Sequence, residues 1–399
     1  MDFGFSKEEE RLRQEVREFC KKEVTPQLIE EDEREAGFGP YVWDFLRKLG
    51  TRRWLTPDWP EEYGGLGSPY MDKFIIMDEV TRAVGGWRIL LSVGASMVGP
   101  AILKYGNEEQ KRRLLPPIAG GEAEYALGYT ESQAGSDLAS LELRAAGSTG
   151  EIFAEERDDH YLMNGRKIFN TAAHYAQFHW LGARTDWENP KKHRGISVFV
   201  VDLKSPGITI RPMRTMSDLM TNEVIYENVK VPKENLIGQK NRGFYQIMTA
   251  LDYERVTPSG GLYRLFEEML TYVKDTEVNG RSLAGDPVVR HRLAQLAIEI
   301  SSARLLDWRV AWVINSGTVP SYQTAMSKAY SAELIQRIYN TWVDMMGLFG
   351  GLQPNSKWAP VNGRIERQHR RSVIESIYRG TNEIMRVIIA ARGLGLPRE

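Results

Sequence analysis

The chain of 399 residues has a single cysteine, Cys20. That excludes an internal disulfide and any cysteine-clustered metal site. A lone thiol fits a reducing compartment. An excess of one charge is also lacking, since 52 Lys and Arg stand against 53 Asp and Glu, a formal net of −1. Nothing in that balance favours nucleic acid or an anionic membrane surface. Long apolar runs are missing too. The longest uncharged apolar stretch, Ile89 to Leu103, is too short to span a bilayer and carries Gly94, Gly99 and Pro100. It reads as a buried core helix. Met1 to Glu10 is mixed and charged, unlike a targeting segment. The expectation is a cytoplasmic protein with no membrane span and no nucleic-acid partner. Its length predicts two or three domains.

Several motifs are absent as well. There is no G-x-G-x-x-G after a strand and no G-x-x-x-x-G-K-[ST], so nicotinamide and P-loop nucleotide folds lose support. The six histidines form no metal-ligand spacing. No G-x-S-x-G marks a nucleophile elbow.

What is present falls into three blocks. The first is helical. Ser6 and Glu9 form a capping box, and Leu12, Val16, Phe19 and Val24 follow at near-helical spacing. Asn107 to Gln110 opens a charged helix ending near Pro116-Pro117. From about Gly121 to Pro232, short β-rich runs alternate with turns: Tyr125 to Tyr129, Tyr161 to Met163, Ile196 to Val201 and Ile208 to Ile210. Asn164-Gly165 reads as a hairpin turn. From about Gly243 the chain turns helical again. A stripe of Leu293, Leu296, Ile300, Leu305, Trp308 and Trp312 points to a bundle.

Four segments could carry chemistry. Thr130 to Asp137 is rich in hydroxyls and small residues, which can donate to a ring or a phosphate; taken alone it reads first as a surface turn with capping Ser and Asp. Asn164 to Ala173 is by itself a hairpin and one aromatic strand. Phe244, Ile247, Met248 and Leu251 mark one helix face, and the period carries Glu254 and Arg255 to its edge. A carboxylate turned toward a core must be paired or functional, because burial disfavours its charge. Rotation to solvent, or pairing with an arginine, is the bland alternative. In Ile377 to Arg386, Gly380-Thr381 looks like a helix entrance with Thr381 as N-cap.

Taken in order, these segments resemble the acyl-CoA dehydrogenase family over nearly the whole chain. Trp59-Pro60-Glu61-Glu62-Tyr63-Gly64-Gly65 is similar to its N-terminal signature. Tyr105 to Lys111 and Leu115-Pro116 are similar to the next stretch, and Thr130 to Asp137 to the central flavin loop, usually TEPGAGSD. The resemblance implies an α+β multidomain fold: an N-terminal helical domain over 1–122, a middle β-barrel-like domain over 123–238 and a C-terminal four-helix bundle over 239–399. It implies FAD as cofactor and an acyl-CoA thioester as substrate. The α-proton passes to a carboxylate and the β-hydrogen, as hydride, to flavin N5. Electron-transfer flavoprotein or a similar acceptor is the implied partner. The implied assembly is a homodimer, homotetramer or heterotetramer.

Residue by residue, the resemblance places Thr130 and Ser136 in the flavin loop. Phe169 stands where the family often has a Trp against the flavin, and Thr171 at the hydroxyl approaching N5. Thr381 and Glu383 match positions near the cofactor in the C-terminal motif. Many members carry the base just before Gly-Thr, but here that residue is Arg379, which cannot act as a base near neutral pH. The long-chain and isovaleryl branches carry a Glu before an Arg on a C-terminal-domain helix. Glu254-Arg255 matches that arrangement, making Glu254 the expected base and Arg255 an expected substrate contact.

Two segments depart from the family. R-x-x-F-G is replaced by Asn279 to Gly285, with Arg281 its nearest equivalent, and Q-x-x-G-G by Asp344 to Leu348. Residues around Gly147 to Glu156 form an apparent insertion. Related actinobacterial-type proteins share such changes and an ending like Leu394 to Glu399, and some work as mixed-subunit complexes on steroid side-chain thioesters. Two alternatives therefore stay open: a flavin monooxygenase on the same fold, and a flavin-poor subunit of a heteromeric dehydrogenase.

Overall fold

The computed structural model describes residues 4–34, 37–85, 92–141, 153–254, 258–318 and 320–397. Most of the Gly147 to Glu156 insertion, and Arg255, lie outside the described residues.

The first block is helical because apolar residues recur at helical spacing between well-capped ends. Helices α1 (Lys7–Glu23), α2 (Pro26–Arg34), α3 (Pro40–Thr51), α4 (Tyr70–Val84), α5 (Gly99–Tyr105) and α6 (Glu108–Ala119) precede the sheet. Ser6 and Glu9 form the expected capping box on α1, and Asn107 and Gln110 form a second on α6. Gln110 also donates from Nε2 to the carbonyls of Glu234 and Leu236, both at 2.8 Å. The helix cap thus doubles as a tie to the middle block. Ahead of α5, Gly94–Val98 adopts a fully buried π turn, a form often found at functional sites.

The middle block contains β1 (Tyr125–Gly128), β2 (Phe153–Glu156), β3 (His160–Lys167), β4 (Phe178–Arg184), β5 (Ile196–Asp202), β6 (Ile208–Arg214), β7 (Met220–Pro232) and β8 (Leu236–Ile237). Among the described residues the sheet runs open in the order β6-β7-β3-β2-β4-β5-β8, with β1 parallel to β4. Central strands are buried on both faces. Trp180, Ile196, Val198 and Val200 pack toward the helical block, while Leu181, Ala183, Phe199 and Val201 pack the other way. That alternation is the two-residue period of a strand.

Asn164-Gly165 is not the expected turn. Both residues lie inside β3, where the register against β7 shifts between Met163 and Gly165. The side chain of Asn164 accepts from Asn228 N at 2.8 Å, so its polarity is spent across the sheet. The β2–β3 connection instead closes with Arg157 N donating to His160 O at 2.8 Å.

The last block holds α7 (Gly243–Glu254), α8 (Gly260–Asp275), the ribbon β9 (Glu277–Val278) and β10 (Arg281–Ser282), α9 (Pro287–Asn315), α10 (Ser321–Met346), α11 (Arg364–Ser372) and α12 (Asn382–Ile388). Leu262, Leu265, Met269, Leu296, Ile300, Leu334, Ile338 and Trp342 form the bundle core. The α9 stripe departs from expectation in its second half. Leu293, Leu296 and Ile300 are buried, but the buried face continues through Ala303, Asp307 and Val310. Leu305 and Trp312 are 51% and 60% exposed. No described helix is long and apolar enough to cross a membrane.

Candidate functional site

Two loops at the end of β1 and β3 carry four of the expected residues. Thr130 follows β1, and its carbonyl accepts from Ile168 N at 2.9 Å. This bond sets the first loop beside the second. Asn170 is buried, and its Nδ2 donates to Leu127 O and Ile168 O at 3.0 Å each. Asn222 Nδ2 reaches Asn170 O at 2.7 Å. With Asn170 held inward, its neighbours Phe169 and Thr171 are exposed, Phe169 by 62%. Phe169 has φ 57° and Ala172 has φ 73°, both in the left-handed region that a side chain disfavours. Such strain persists where the surroundings enforce it, and it clusters at ligand sites. Ser136 is exposed at the far side of the first loop. Between Glu131 and Ala134 the backbone closes a tight turn, with N–H to O contacts of 3.0 and 3.3 Å.

Beneath these loops lies a pair not anticipated from the sequence. Lys167 and Glu131 are both buried, with Nζ 2.6 Å from Oε1. Lys167 Nζ also donates to Tyr129 O at 3.1 Å. Burial pushes the ammonium below the usual lysine range, against the opposing pull of Glu131. The signal was present in β3: Tyr161, Met163 and Lys167 occupy its buried positions. A lysine in such a position demands a partner.

Glu254 is the last residue of α7, seven positions after Ile247 and four after Ala250, both fully buried. That period puts position 254 at the end of the helix's core side. Its side chain, like all of Arg255, is outside the described residues. The buried side of α7 packs against the π turn Gly94–Val98 and against β5. The π turn has its own anchor, which the sequence reading missed. Glu124 is fully buried, and its Oε1 accepts from Gly94 N at 3.1 Å and from Tyr125 N at 2.9 Å. Desolvation pushes its carboxyl up to about 7.

The C-terminal motif is a helix entrance, as expected. Thr381 is the N-cap of α12 and its hydroxyl accepts from Ile384 N at 3.3 Å. Glu383 is exposed, and backbone N–H at this helix start holds its carboxyl below the usual range. Asn382 is buried between them, accepting from Lys328 Nζ at 2.9 Å. Thr381 and Glu383 are therefore mounted on α10, whereas Thr130, Phe169 and Thr171 are mounted on the sheet. Arg379 is buried and paired with Glu375 at 3.5 Å. Arg281 is exposed in the β9–β10 ribbon, and Asp344 pairs with Arg292 at 3.1 Å.

The exposed ring of Phe169, the hydroxyl of Thr171 and the polar first loop suit a flat aromatic ligand with hydrogen-bonding edges. Among the described residues, no group of three or more His, Cys, Asp or Glu could hold a metal ion.

Comparison with known proteins bears on the same geometry. Three family models match in succession: acyl-CoA dehydrogenase, N-terminal domain, over residues 6–122; middle domain, over 126–229; and C-terminal domain, over 241–394. Acyl-CoA dehydrogenase FadE26 of Mycobacterium tuberculosis is 33% identical over 414 residues, covering 100% of this chain and 99% of its own. Among solved structures, the Tcur3481-Tcur3483 steroid ACAD superposes with TM-score 0.88 at 32% identity, covering 100% of both chains. The ChsE4-ChsE5 complex from Mycobacterium tuberculosis superposes with TM-score 0.87 at 32% identity, again over 100% of both. Helices, sheet and bundle follow one another here as those models require, and the chain belongs to the acyl-CoA dehydrogenase family of oxidoreductases.

Proposed function

We propose that the chain removes hydrogen from the α and β carbons of an acyl-CoA thioester, with FAD as cofactor and Glu254 as base. The observation that carries this reading is the pairing of two facts. The position before Gly380-Thr381 is an arginine already committed to Glu375, and Glu254 is the last residue of α7, in helical period with the buried Ile247 and Ala250. The division into units at 1–122, 123–238 and 239–399 belongs to the same proposal.

FAD, when bound, supplies the acceptor for the β-hydrogen. The remaining roles fall to the chain. A thioester α-proton is far too weakly acidic for a carboxylate in water, so the site must exclude water and stabilise the enolate with fixed donors. Phe169 offers a ring face, Thr171 a hydroxyl beside it, and Thr130 and Ser136 donors from the first loop. Thr381 and Glu383 line the α12 entrance as a second cofactor contact. Arg255, next to the base, is the proposed substrate contact. With a net charge of −1, recognition of polyanionic CoA rests on local positive groups. An electron-transfer flavoprotein or similar carrier takes the electrons onward.

A second reading has its own support. Arg281 and Asp344 stand in for two family segments, and two relatives are described as a two-chain complex or by two chain names. In that reading the chain is one subunit of a heteromeric dehydrogenase acting on a bulky thioester. The visible spectrum of the purified chain, followed by anaerobic titration with straight, branched and steroid-derived acyl-CoAs, separates the two. A yellow protein bleached by one class supports the self-sufficient enzyme and names its substrate. A colourless protein that gains flavin only with a second chain sinks it. A yellow protein bleached by none points to the monooxygenase.

A further inference from the structure

We propose that the buried Glu131–Lys167 ion pair is a positioning device that holds the two cofactor-facing loops in register, so that Thr130 and the Phe169–Thr171 segment meet one FAD. The inference rests on the FAD reading above and deepens it.

The pair stands at the root of both loops. Glu131 follows Thr130 directly, and Lys167 precedes Phe169 by two residues. Lys167 bonds the carboxylate of one loop at 2.6 Å and the Tyr129 carbonyl behind it at 3.1 Å. The next residue, Ile168, donates its N–H to Thr130 O at 2.9 Å. Two residues further on, Asn170 reaches back to Leu127 O at 3.0 Å. From Lys167 to Asn170 the second loop is thus tied to the first at four points of β1 and its exit: Leu127, Tyr129, Thr130 and Glu131. A slip of either loop would break all of them together.

Stability alone does not call for a charged pair here. Removing two charges from water is costly, and well-packed apolar residues of similar volume often serve the fold as well or better. What an apolar pair does not supply is direction. The ammonium must sit where the carboxylate and the Tyr129 carbonyl both point, which fixes the height of one loop against the other. On its other side Asn170 is tied to β7, its N–H donating to Asn222 O at 2.9 Å and its carbonyl accepting from Asn222 Nδ2 at 2.7 Å, so Asn170 points inward and its neighbour Phe169 is exposed.

The test uses the full-length chain. FAD is titrated into apo-protein by flavin fluorescence, the visible circular dichroism of the bound flavin is recorded, and thermal unfolding of the apo-protein is followed. Lys167→Met alone should lower the unfolding temperature. The double variant Glu131→Leu with Lys167→Met should regain most of it, yet bind FAD at least ten-fold more weakly and with an altered dichroism. Wild-type FAD affinity and dichroism in a folded double variant overturn the proposal while leaving the FAD reading intact. A wild-type chain that takes up no FAD overturns the FAD reading and this inference with it. Should the double variant not fold, Glu131→Gln decides: it keeps the shape and one acceptor, and unchanged affinity and dichroism there overturn the proposal equally.

Discussion

Arg379 and Glu375 form a buried ion pair, Nη2 to Oε2 at 3.5 Å, and Tyr378 OH closes the triangle at 3.0 and 2.8 Å. The residue just before Gly380-Thr381 is therefore occupied in holding the end of the bundle. Arg379→Gln leaves the buried Glu375 with the Tyr378 hydroxyl but without its counter-charge, and should cost about 3–5 kcal/mol by urea unfolding. Flavin bleaching per folded molecule should be largely retained. Glu254→Gln should do the opposite: little change in unfolding, and a loss of roughly 10²–10⁴-fold in bleaching rate under acyl-CoA. Normal bleaching by Glu254→Gln removes the base assignment.

Gly260 sets how closely α8 approaches α4. A Cβ there would run into the backbone carbonyl of Asp78 and lie 2.9 Å from Thr81 Oγ1, whereas at Gly261 the nearest atom is Thr81 O at 4.0 Å. Gly260→Ala should destabilise by about 1–3 kcal/mol through forced separation of the two helices. Gly261→Ala should be neutral, or stabilise by up to about 1 kcal/mol. Equal melting shifts for the two variants would contradict the close approach.

Phe169→Gly should split stability from binding. Glycine relieves the left-handed backbone at φ 57°, a gain of roughly 1–2 kcal/mol, and removes an exposed ring that contributes little to the core. The apo-protein should melt higher while its FAD affinity falls. A variant that gains stability without losing FAD affinity excludes Phe169 from the flavin face.

Stability should fall as pH rises through neutrality. Glu124 is pushed up from 4.5 to about 7 and Asp307 from 3.8 to about 8, both mainly by burial. Between each pair of values the native state keeps a proton that the unfolded chain has released. Each group therefore removes up to about 1.4 kcal/mol of stability per pH unit across its window. Glu124→Gln should about halve the slope between about pH 5 and 7 and leave the remainder, due to Asp307, which continues to about pH 8. An unchanged slope in that variant means Glu124 is ionised throughout.

Much of this was legible in residue order. Caps announce helices locally, so Ser6, Asn107 and Thr381 could be placed from neighbours within three positions. Phe169 and Thr171, the proposed cofactor contacts, could be singled out only through motif order, because no local rule distinguishes them from any other exposed side chains. The misread features share a cause. Asn164-Gly165 has the composition of a turn, but cross-strand bonding to Asn228 absorbs it. The α9 stripe shifts face because the buried side passes through Asp307, a residue that apolar periodicity skips. Lys167 and Glu131 are 36 positions apart, so neither carries a sign of the other. Glu124 lies between apolar residues and satisfies backbone N–H groups of a π turn that no sequence pattern foretells.

The side chains around α7 carry one last consequence. Val80, Ala101, Ile118, Trp180, Val198, Ile247 and Ala250 belong to a single buried cluster, although they come from all three blocks of the chain. The blocks are thus chapters of the sequence and not separable bodies. A protease cut between Ile237 and Gly243 would sever the polypeptide without freeing a fragment. The nicked protein should migrate intact on a native gel and come apart only in denaturant, with α7 still seated in a core that its own block does not supply.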